Sequence, residues 1–103
     1  MKKINLVLSW QELATLHEMI KLFRFDMSKP LHVLAFHILA KVYLRITTRL
    51  QNPTGKPSLK FSLKQAEAVS LSIILIDVYD YSNDEYYKNV ALRINNTINQ
   101  NLA

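Results

Sequence analysis

The feature of the sequence that most constrains its fold is a pattern that recurs after 53 residues. In each copy, alternating apolar residues lead into a serine, and a glutamate or glutamine follows three positions later. The two pairs are Ser9 with Glu12 and Ser62 with Gln65. This is the capping-box spacing, in which a serine hydroxyl and an acid or amide side chain satisfy free amide groups in the first helical turn. The sequence therefore predicts a strand followed directly by a helix, twice.

A second helix is predicted after each of these first helices. Its apolar residues recur at helical spacing, and the two copies match if one residue is deleted. Leu34, Ile38, Leu39, Val42 and Ile46 correspond to Tyr86, Val90, Ala91, Ile94 and Ile98. Ser28 with Pro30 in the first turn, and Ser82 with Glu85, indicate where these helices begin.

The elements can be bounded from these signals. We expect strands at 3–8 and 57–61, and helices at 10–25, 29–50, 63–80 and 83–101. The internal repeat then covers 3–50 and 56–101. Its linker, 51–58, holds the only glycine and two of the three prolines, as expected for a turn. Residues 69–78 alternate in part like a buried strand, but the charged, helix-favouring run before them favours a helix buried nearly all round.

The composition places the chain among globular proteins of one domain. Half of its 103 residues are apolar and 20% are charged, which is too apolar for a disordered chain. The absence of cysteine excludes disulfides, thiol catalysis and cysteine-based metal sites. We therefore expect a single, mainly α domain over residues 1–103, with four helices in two halves tied by a short two-stranded ribbon. A plain four-helix bundle is the alternative.

This arrangement resembles the ribbon-helix-helix repressors. The resemblance rests on a short alternating strand, a helix opening Ser-x-x-Glu-Leu-x-x-Leu from Ser9 to Leu16, a short break and a second amphipathic helix. It covers most of the chain, although the family's usual glycine between the helices is missing. It implies that two strands pair into an antiparallel ribbon whose outward residues enter the DNA major groove. With Ile4, Leu6, Leu8, Pro57, Leu59 and Phe61 facing the core, the outward residues are Lys3, Asn5, Val7, Lys56, Ser58 and Lys60.

The charge is concentrated in one part of the chain. The net charge is +5, and between Asp26 and Glu67 the sequence has seven basic residues and no acid. Lys41, Arg45 and Arg49 recur every four residues, so a helix presents them as one stripe. Together with Lys3, Lys56, Lys60 and Lys64, this stripe suits a polyanion such as nucleic acid, or an acidic protein surface. A solvated helix face is the alternative interpretation.

The opposite charge collects at the predicted bend between the last two helices. Asp77, Asp80, Asp84 and Glu85 lie there, beside Tyr79, Tyr81, Tyr86 and Tyr87. Tyrosines are enriched at interface hot spots. The alternative function is therefore a protein–protein interaction or self-assembly module that uses Tyr79, Tyr81, Tyr86, Tyr87 and Asp84, including a homo-oligomer in which this bend meets the basic half of another copy.

No motif in the sequence predicts catalysis. The three histidines lack metal-ligand spacing, the single glycine excludes a glycine-rich phosphate loop, and the serines are explained by capping. We therefore expect no catalytic residue, no metal site and no cofactor. No apolar run approaches the ~20 residues of a membrane span, and no small-residue cleavage site follows the N-terminal apolar stretch. We expect a soluble cytoplasmic protein that acts by binding.

Overall fold

Two strand–helix–helix units follow one another in the computed structural model, which describes residues 3–102. Each unit contributes one strand to a shared ribbon and two helices to its support. The elements are β1 (Lys3–Ser9), α1 (Trp10–Leu22), α2 (Pro30–Gln51), β2 (Ser58–Lys64), α3 (Gln65–Tyr81) and α4 (Glu85–Leu102). The fold is mainly α with a short two-stranded sheet, as the sequence predicts.

The two strands pair in antiparallel register across the middle of the chain. The cross-strand partners on the inner face are Ile4 with Leu63, Leu6 with Phe61, and Leu8 with Leu59. All six side chains are buried, while the residues between them are exposed or half-buried. Because side chains alternate between the faces of a strand, this register sets one apolar face against the helices and turns the other to solvent.

Each helix supplies one stripe of side chains to a single core. The buried residues recur at helical spacing: Leu13, Leu16, Met19 and Ile20 in α1; Ala35, Leu39, Val42 and Ile46 in α2; Ala68, Leu71, Ile74 and Leu75 in α3; Val90, Ala91, Ile94 and Ile98 in α4. Helix α3 packs against both α4 and α2, and α2 also packs against α1. The expected core positions of the second helices are confirmed at three of the matched pairs, whereas Leu34 and Tyr86 are exposed.

The second strand differs from its prediction at both ends. It spans Ser58–Lys64 rather than 57–61, and Lys56 and Pro57 precede it as exposed residues. Ser62 is therefore not a helix cap: it lies within the strand, where its hydroxyl donates to Asn5 Oδ1 at 2.6 Å. The apolar alternation continues through Leu63, and burying this residue beneath the ribbon stabilises the longer strand.

The loops between the paired helices also differ from prediction. Helix α1 ends at Leu22 rather than at 25, because Phe23 adopts an extended conformation. Helix α2 begins after Lys29, which takes the N-cap position predicted for Ser28. Helix α4 is capped by Asp84 rather than by Ser82: Asp84 Oδ1 accepts hydrogen bonds from the amides of Tyr86 and Tyr87, at 2.9 and 3.2 Å. An aspartate is as good an N-cap as a serine.

Residues 69–78 are helical and belong to α3. The expectation that this helix is buried nearly all round is wrong, because Val69 is 48% exposed and Ile76 is 51% exposed. Both lie on the side of α3 that points away from the core.

The segment 52–57 connects the two halves. Gly55 has a φ of 79°, a conformation that residues with a Cβ rarely adopt. The indole Nε1 of Trp10 donates to the carbonyl of Lys56 at 2.7 Å, which fastens this segment to the start of α1. Within residues 3–102, no helix is both long and apolar enough to cross a bilayer.

Candidate nucleic-acid interface

The solvent-facing side of the ribbon carries positive charge and no carboxylate. We call this surface the ribbon face: Lys3, Asn5, Val7, Ser58, Lys60, Ser62 and Lys64. Of the outward residues predicted from the sequence, all but Lys56 lie on it. Ser62 and Lys64 also belong to it, although the predicted strand ended at residue 61 and so left them out.

Two of the lysines on the ribbon face are direct cross-strand partners. Lys3 lies opposite Lys64, and Lys60 lies opposite Val7. Like charges directly opposite one another destabilise a strand pair. The carboxylate of Glu67 lines the same pocket as Lys3 and Lys64, and the charge of Lys64 helps to lower the pKa of Glu67, so part of this repulsion is relieved within the protein.

Helix α2 extends the positive charge along the outer edge of β2. A guanidinium nitrogen of Arg45 donates to the carbonyl of Ser62 at 2.8 Å, and one of Arg49 donates to that of Lys60 at 3.3 Å. These bonds satisfy carbonyls of an edge strand, which otherwise invites pairing with another chain. The helix stripe and the ribbon lysines therefore form one continuous basic surface.

Arg45 is also the partner of a buried carboxylate. Its Nη1 lies 2.6 Å from Glu67 Oε2, and its guanidinium carbon is 5.2 Å from the centre of the Phe61 ring. Burial raises the pKa of Glu67, but hydrogen bonds from Arg45 and from the Lys64 amide outweigh it, so the pKa is lowered. The side chain of Arg45 thus connects α2, α3 and β2.

A similar pair lies at the start of α1. Glu12 accepts the Ser9 amide at 2.9 Å and the Ser9 hydroxyl accepts the Glu12 amide at 3.1 Å, which confirms the first predicted capping box. Arg93 of α4 forms an ion pair with the same carboxylate. Burial raises the pKa of Glu12, but these hydrogen bonds and the charge of Arg93 lower it overall. The carboxylates at the two helix starts are therefore both neutralised by arginine.

Lys41 joins the basic surface at its border. It lines a shallow groove between α2 and the start of α3, together with His37, Ile38 and Lys64. All three residues of the predicted helix stripe thus lie near the ribbon: Lys41 beside Lys64, and Arg45 and Arg49 on the edge of β2.

The acidic residues of the predicted bend lie at the other end of the molecule. Helix α3 starts at the ribbon and has 17 residues, so the bend that follows it is about 25 Å from the ribbon at the helical rise. Asp77 and Asp80 are in the last turns of α3, and Asp84 and Glu85 begin α4. The protein is therefore electrically polarised, with a basic ribbon end and an acidic bend.

The tyrosines predicted as an interface divide into two groups. Tyr79, Tyr81 and Tyr86 are 45%, 78% and 39% exposed. Tyr87 is half-buried, and its hydroxyl donates to Glu18 of α1. This hydrogen bond, with burial and the negative charges of Glu18 and Asp84, raises the pKa of Tyr87 to about 12. Tyr87 therefore fastens α4 to α1, and only the other three tyrosines present their rings to solvent.

The histidines take part in local packing. His17 Nε2 is 2.8 Å from the Thr47 hydroxyl, and its ring stacks on Tyr43. His32 Nδ1 accepts the Asp26 amide at 2.9 Å. Among the residues that the structure describes, no three His, Asp or Glu side chains are grouped as a metal site would require.

No known protein family, curated protein sequence or solved structure matches this chain.

Proposed function

We propose that the protein is a non-catalytic binding module that contacts nucleic acid through the ribbon face and the adjoining edge of α2. The observation that carries this proposal is the directly opposed pair Lys3 and Lys64 on a face without a carboxylate. The nearby acids, Glu12 and Glu67, are each paired with an arginine, and the charge of Lys64 also acts on Glu67, so Glu67 offsets part of the positive charge of the ribbon. Such a surface gains affinity for a phosphate backbone by releasing counterions.

The residues of the ribbon face are suited to two kinds of contact. Lys3, Lys60 and Lys64 are suited to phosphates, whereas Asn5 and Ser58 present polar groups that can pair with base edges. A two-stranded β-ribbon fits the major groove of DNA, which is the mode implied by the resemblance to the ribbon-helix-helix repressors. Val7, 60% exposed, supplies an apolar contact of the kind that thymine methyl groups accept.

The residues best suited to a binding test are those that do not also stabilise the fold. Arg45 and Arg49 donate to the β2 backbone, so their removal would disturb the ribbon as well as its charge. The lysines of the ribbon face have no ion-pair partner in the described chain. A lysine variant therefore tests binding more cleanly than a variant of the Lys41, Arg45 and Arg49 stripe.

The first experiment is fluorescence anisotropy of a labelled random duplex at about 50 and 200 mM salt. We expect the association constant to fall steeply with salt. Each phosphate that the protein neutralises contributes about −0.9 to the slope of the logarithm of the association constant against the logarithm of the salt concentration. The Lys3→Ala, Lys60→Ala, Lys64→Ala triple variant should bind more weakly, and the magnitude of its salt slope should be smaller by about three. No binding by the wild-type protein at the lower salt concentration would refute the proposal.

A matched control removes the same charge elsewhere. Lys21, Lys29 and Lys88 lie outside the ribbon face, and their triple alanine variant has the same net charge as the ribbon variant. If this control loses as much affinity as the ribbon variant, net charge rather than the ribbon face carries the binding.

A further inference from the structure

The hydrogen bonds of the ribbon show which backbone groups of β1 point away from β2. In an antiparallel pair, the amide and carbonyl of every second residue bond to the opposite strand, and those of the residues between point outward. The Ser9 and Lys64 amides bond to carboxylates at the helix starts rather than to the opposite strand, so they lie at outward positions. At the same alternate positions of β1, the outward groups belong to Lys3, Asn5 and Val7.

Side chains of a neighbouring helix bond to the outer edge of β2 but not to that of β1. Arg45 and Arg49 of α2 donate to outward carbonyls of β2. Helix α4 packs against β1, and where the second helices are matched, the positions of these arginines are held by Thr97 and Asn101. Both side chains bond instead to carbonyls of α4 itself, at 3.1 and 2.8 Å.

The outer edge of β1 is therefore open. Within residues 3–102, no group bonds to the outward amides and carbonyls of Lys3, Asn5 and Val7. Backbone groups that lack a protein partner are almost always hydrated rather than buried, and the side chains of these three residues are exposed. An open strand edge of this kind is a template for one more strand.

The charge beside this edge indicates which strand it suits. Residues directly opposite one another in a sheet carry their side chains on the same face. A strand added to β1 therefore places alternate side chains on the ribbon face, one of them opposite Lys3. That face also holds Lys60 and Lys64 and has no carboxylate of its own. Because opposite charges at cross-strand positions stabilise a pair, acidic residues are favoured at these positions of the added strand.

We propose that the outer edge of β1 binds an extended acidic segment of a protein partner as a third strand of the sheet. The backbone of the segment bonds to Lys3, Asn5 and Val7, and its acidic side chains lie on the ribbon face. This inference does not rest on nucleic-acid binding, because the segment pairs with the backbone at the side of β1, whereas a duplex meets the side chains of the ribbon face. Either proposal can fail while the other holds.

Nuclear magnetic resonance of the isotope-labelled full chain tests the proposal. The probe is a blocked peptide of 7 residues, the length of β1, in which glutamate and valine alternate. We expect the amides of Asn5 and Val7 to shift and to exchange with water at least about tenfold more slowly, because they gain hydrogen-bond partners. The amides of Lys60 and Ser62, on the far edge, should shift much less. No shift at about 1 mM peptide, or equal shifts at both edges, would overturn the proposal.

Two control peptides separate strand pairing from attraction between charges. The residues that bond to β1 carry their side chains on the ribbon face, so in the probe they are the glutamates. N-methylation of the glutamates keeps the charge but removes these amides, and this peptide should bind at least about tenfold more weakly. A peptide that alternates lysine and valine keeps the amides but reverses the charge, and it should also bind more weakly. If either control binds as tightly as the probe, the proposed acidic third strand is wrong.

A proline variant removes the same contact from the protein. Val7→Pro deletes an outward amide without deleting a bond between β1 and β2, and proline is tolerated at such edge positions. It should bind the probe at least about tenfold more weakly, whereas the matched control Val7→Ala keeps the amide and should bind within about threefold of the wild-type chain. Equal affinities of the two variants would contradict the proposal. The N-methylated peptide tests the same bonds in the wild-type chain, whatever the stability of the proline variant.

Discussion

Helices α1 and α3 both begin where a ribbon strand ends, but different groups cap them. Their N-cap residues have nearly the same backbone conformation: φ −73° and ψ 163° at Ser9, φ −71° and ψ 158° at Lys64. Ser9 offers a hydroxyl to the Glu12 amide, whereas a lysine side chain has no acceptor. In both helices a glutamate at the third position accepts the cap amide. The carboxylate, rather than the hydroxyl, is thus the shared part of the two caps.

The same comparison shows how the two halves hold one another. Glu67, which starts α3 in the second half, is paired with Arg45 from the first half. Glu12, which starts α1 in the first half, is paired with Arg93 from the second half. Each capping carboxylate is therefore also a tie between the halves. The difference is burial: the Glu67 side chain is 10% exposed and that of Glu12 is 22% exposed.

The largest effect is expected from removing these carboxylates. Glu67→Gln should lower the free energy of unfolding by about 2 kcal/mol, because it leaves Arg45 unpaired beside a mostly buried site. Glu12→Gln should cost about 1 kcal/mol, since water reaches that pair more easily. Urea denaturation of both variants measures the difference. A greater loss in Glu12→Gln would show that burial does not decide which of the two pairs is the stronger.

Serine variants test the two capping boxes that the sequence predicts. Ser9→Ala should cost about 1 kcal/mol, as expected for loss of a true N-cap. Ser62→Ala removes an exposed hydrogen bond to Asn5 within the ribbon and should cost less than about 0.5 kcal/mol. The melting temperatures of the two variants compare them directly. Equal losses would indicate that Ser62 caps α3 after all.

A serine at the N-cap of α3 should supply the side-chain acceptor that Lys64 does not provide. Lys64→Ser places a hydroxyl on a backbone that already has the conformation of Ser9, so we expect a gain of about 0.5 to 1 kcal/mol in unfolding free energy. The same change removes a lysine from the ribbon face and should weaken duplex binding. Lys60→Ser is the control, because it removes a ribbon lysine without creating a cap. A Lys64→Ser variant no more stable than this control would show that a side-chain acceptor at the N-cap of α3 adds no stability.

The smallest expected effect is a loss of stability at acidic pH. The pKa values of Glu12 and Glu67 are both lowered from 4.5, so their ionised forms are favoured by folding. This stabilisation is present above the ordinary pKa and is lost as the pH falls through the lowered values. Melting temperature should therefore drop between about pH 5 and pH 3, and the Glu12→Gln, Glu67→Gln double variant should lose less over that interval. An equally steep drop in the double variant would assign acid sensitivity to other carboxylates.

Much of this architecture follows from periodicity. Alternation in the strands and three-to-four spacing in the helices predict the order of elements, the inward residues Leu6 and Leu59, and the core positions Leu39 and Val42. The pairing of the two strands into a ribbon is implied by the resemblance to the ribbon-helix-helix repressors rather than by periodicity. These patterns record which side of an element is buried, and burial of apolar surface is the main driving force of folding. They predict the first cap because Ser9 and Glu12 are adjacent on one helical turn.

The predicted cap of α3 is wrong because two patterns compete at the same place in the sequence. Ser62 with Gln65 and Lys64 with Glu67 both have the required spacing at the third position, and the serine is the more favourable cap by propensity. Burial of Leu63 decides for the longer strand, and that signal is present in the alternation Leu59, Phe61, Leu63. The partnership of Arg45 with Glu67 could not be predicted, because it depends on how two helices pack across 22 residues of sequence.

The pairing of β1 with β2 has a consequence for synthesis of the chain. The first strand leaves the ribosome well before its partner: Leu6 must wait for Phe61, which at about 5–20 residues per second takes roughly 3–11 s. During this interval the apolar side of β1 has no ribbon partner, and its amide and carbonyl groups can pair with any other open strand. The nascent first half is therefore the form of this protein most exposed to aggregation and to chaperones, and completion of the second strand ends that exposure.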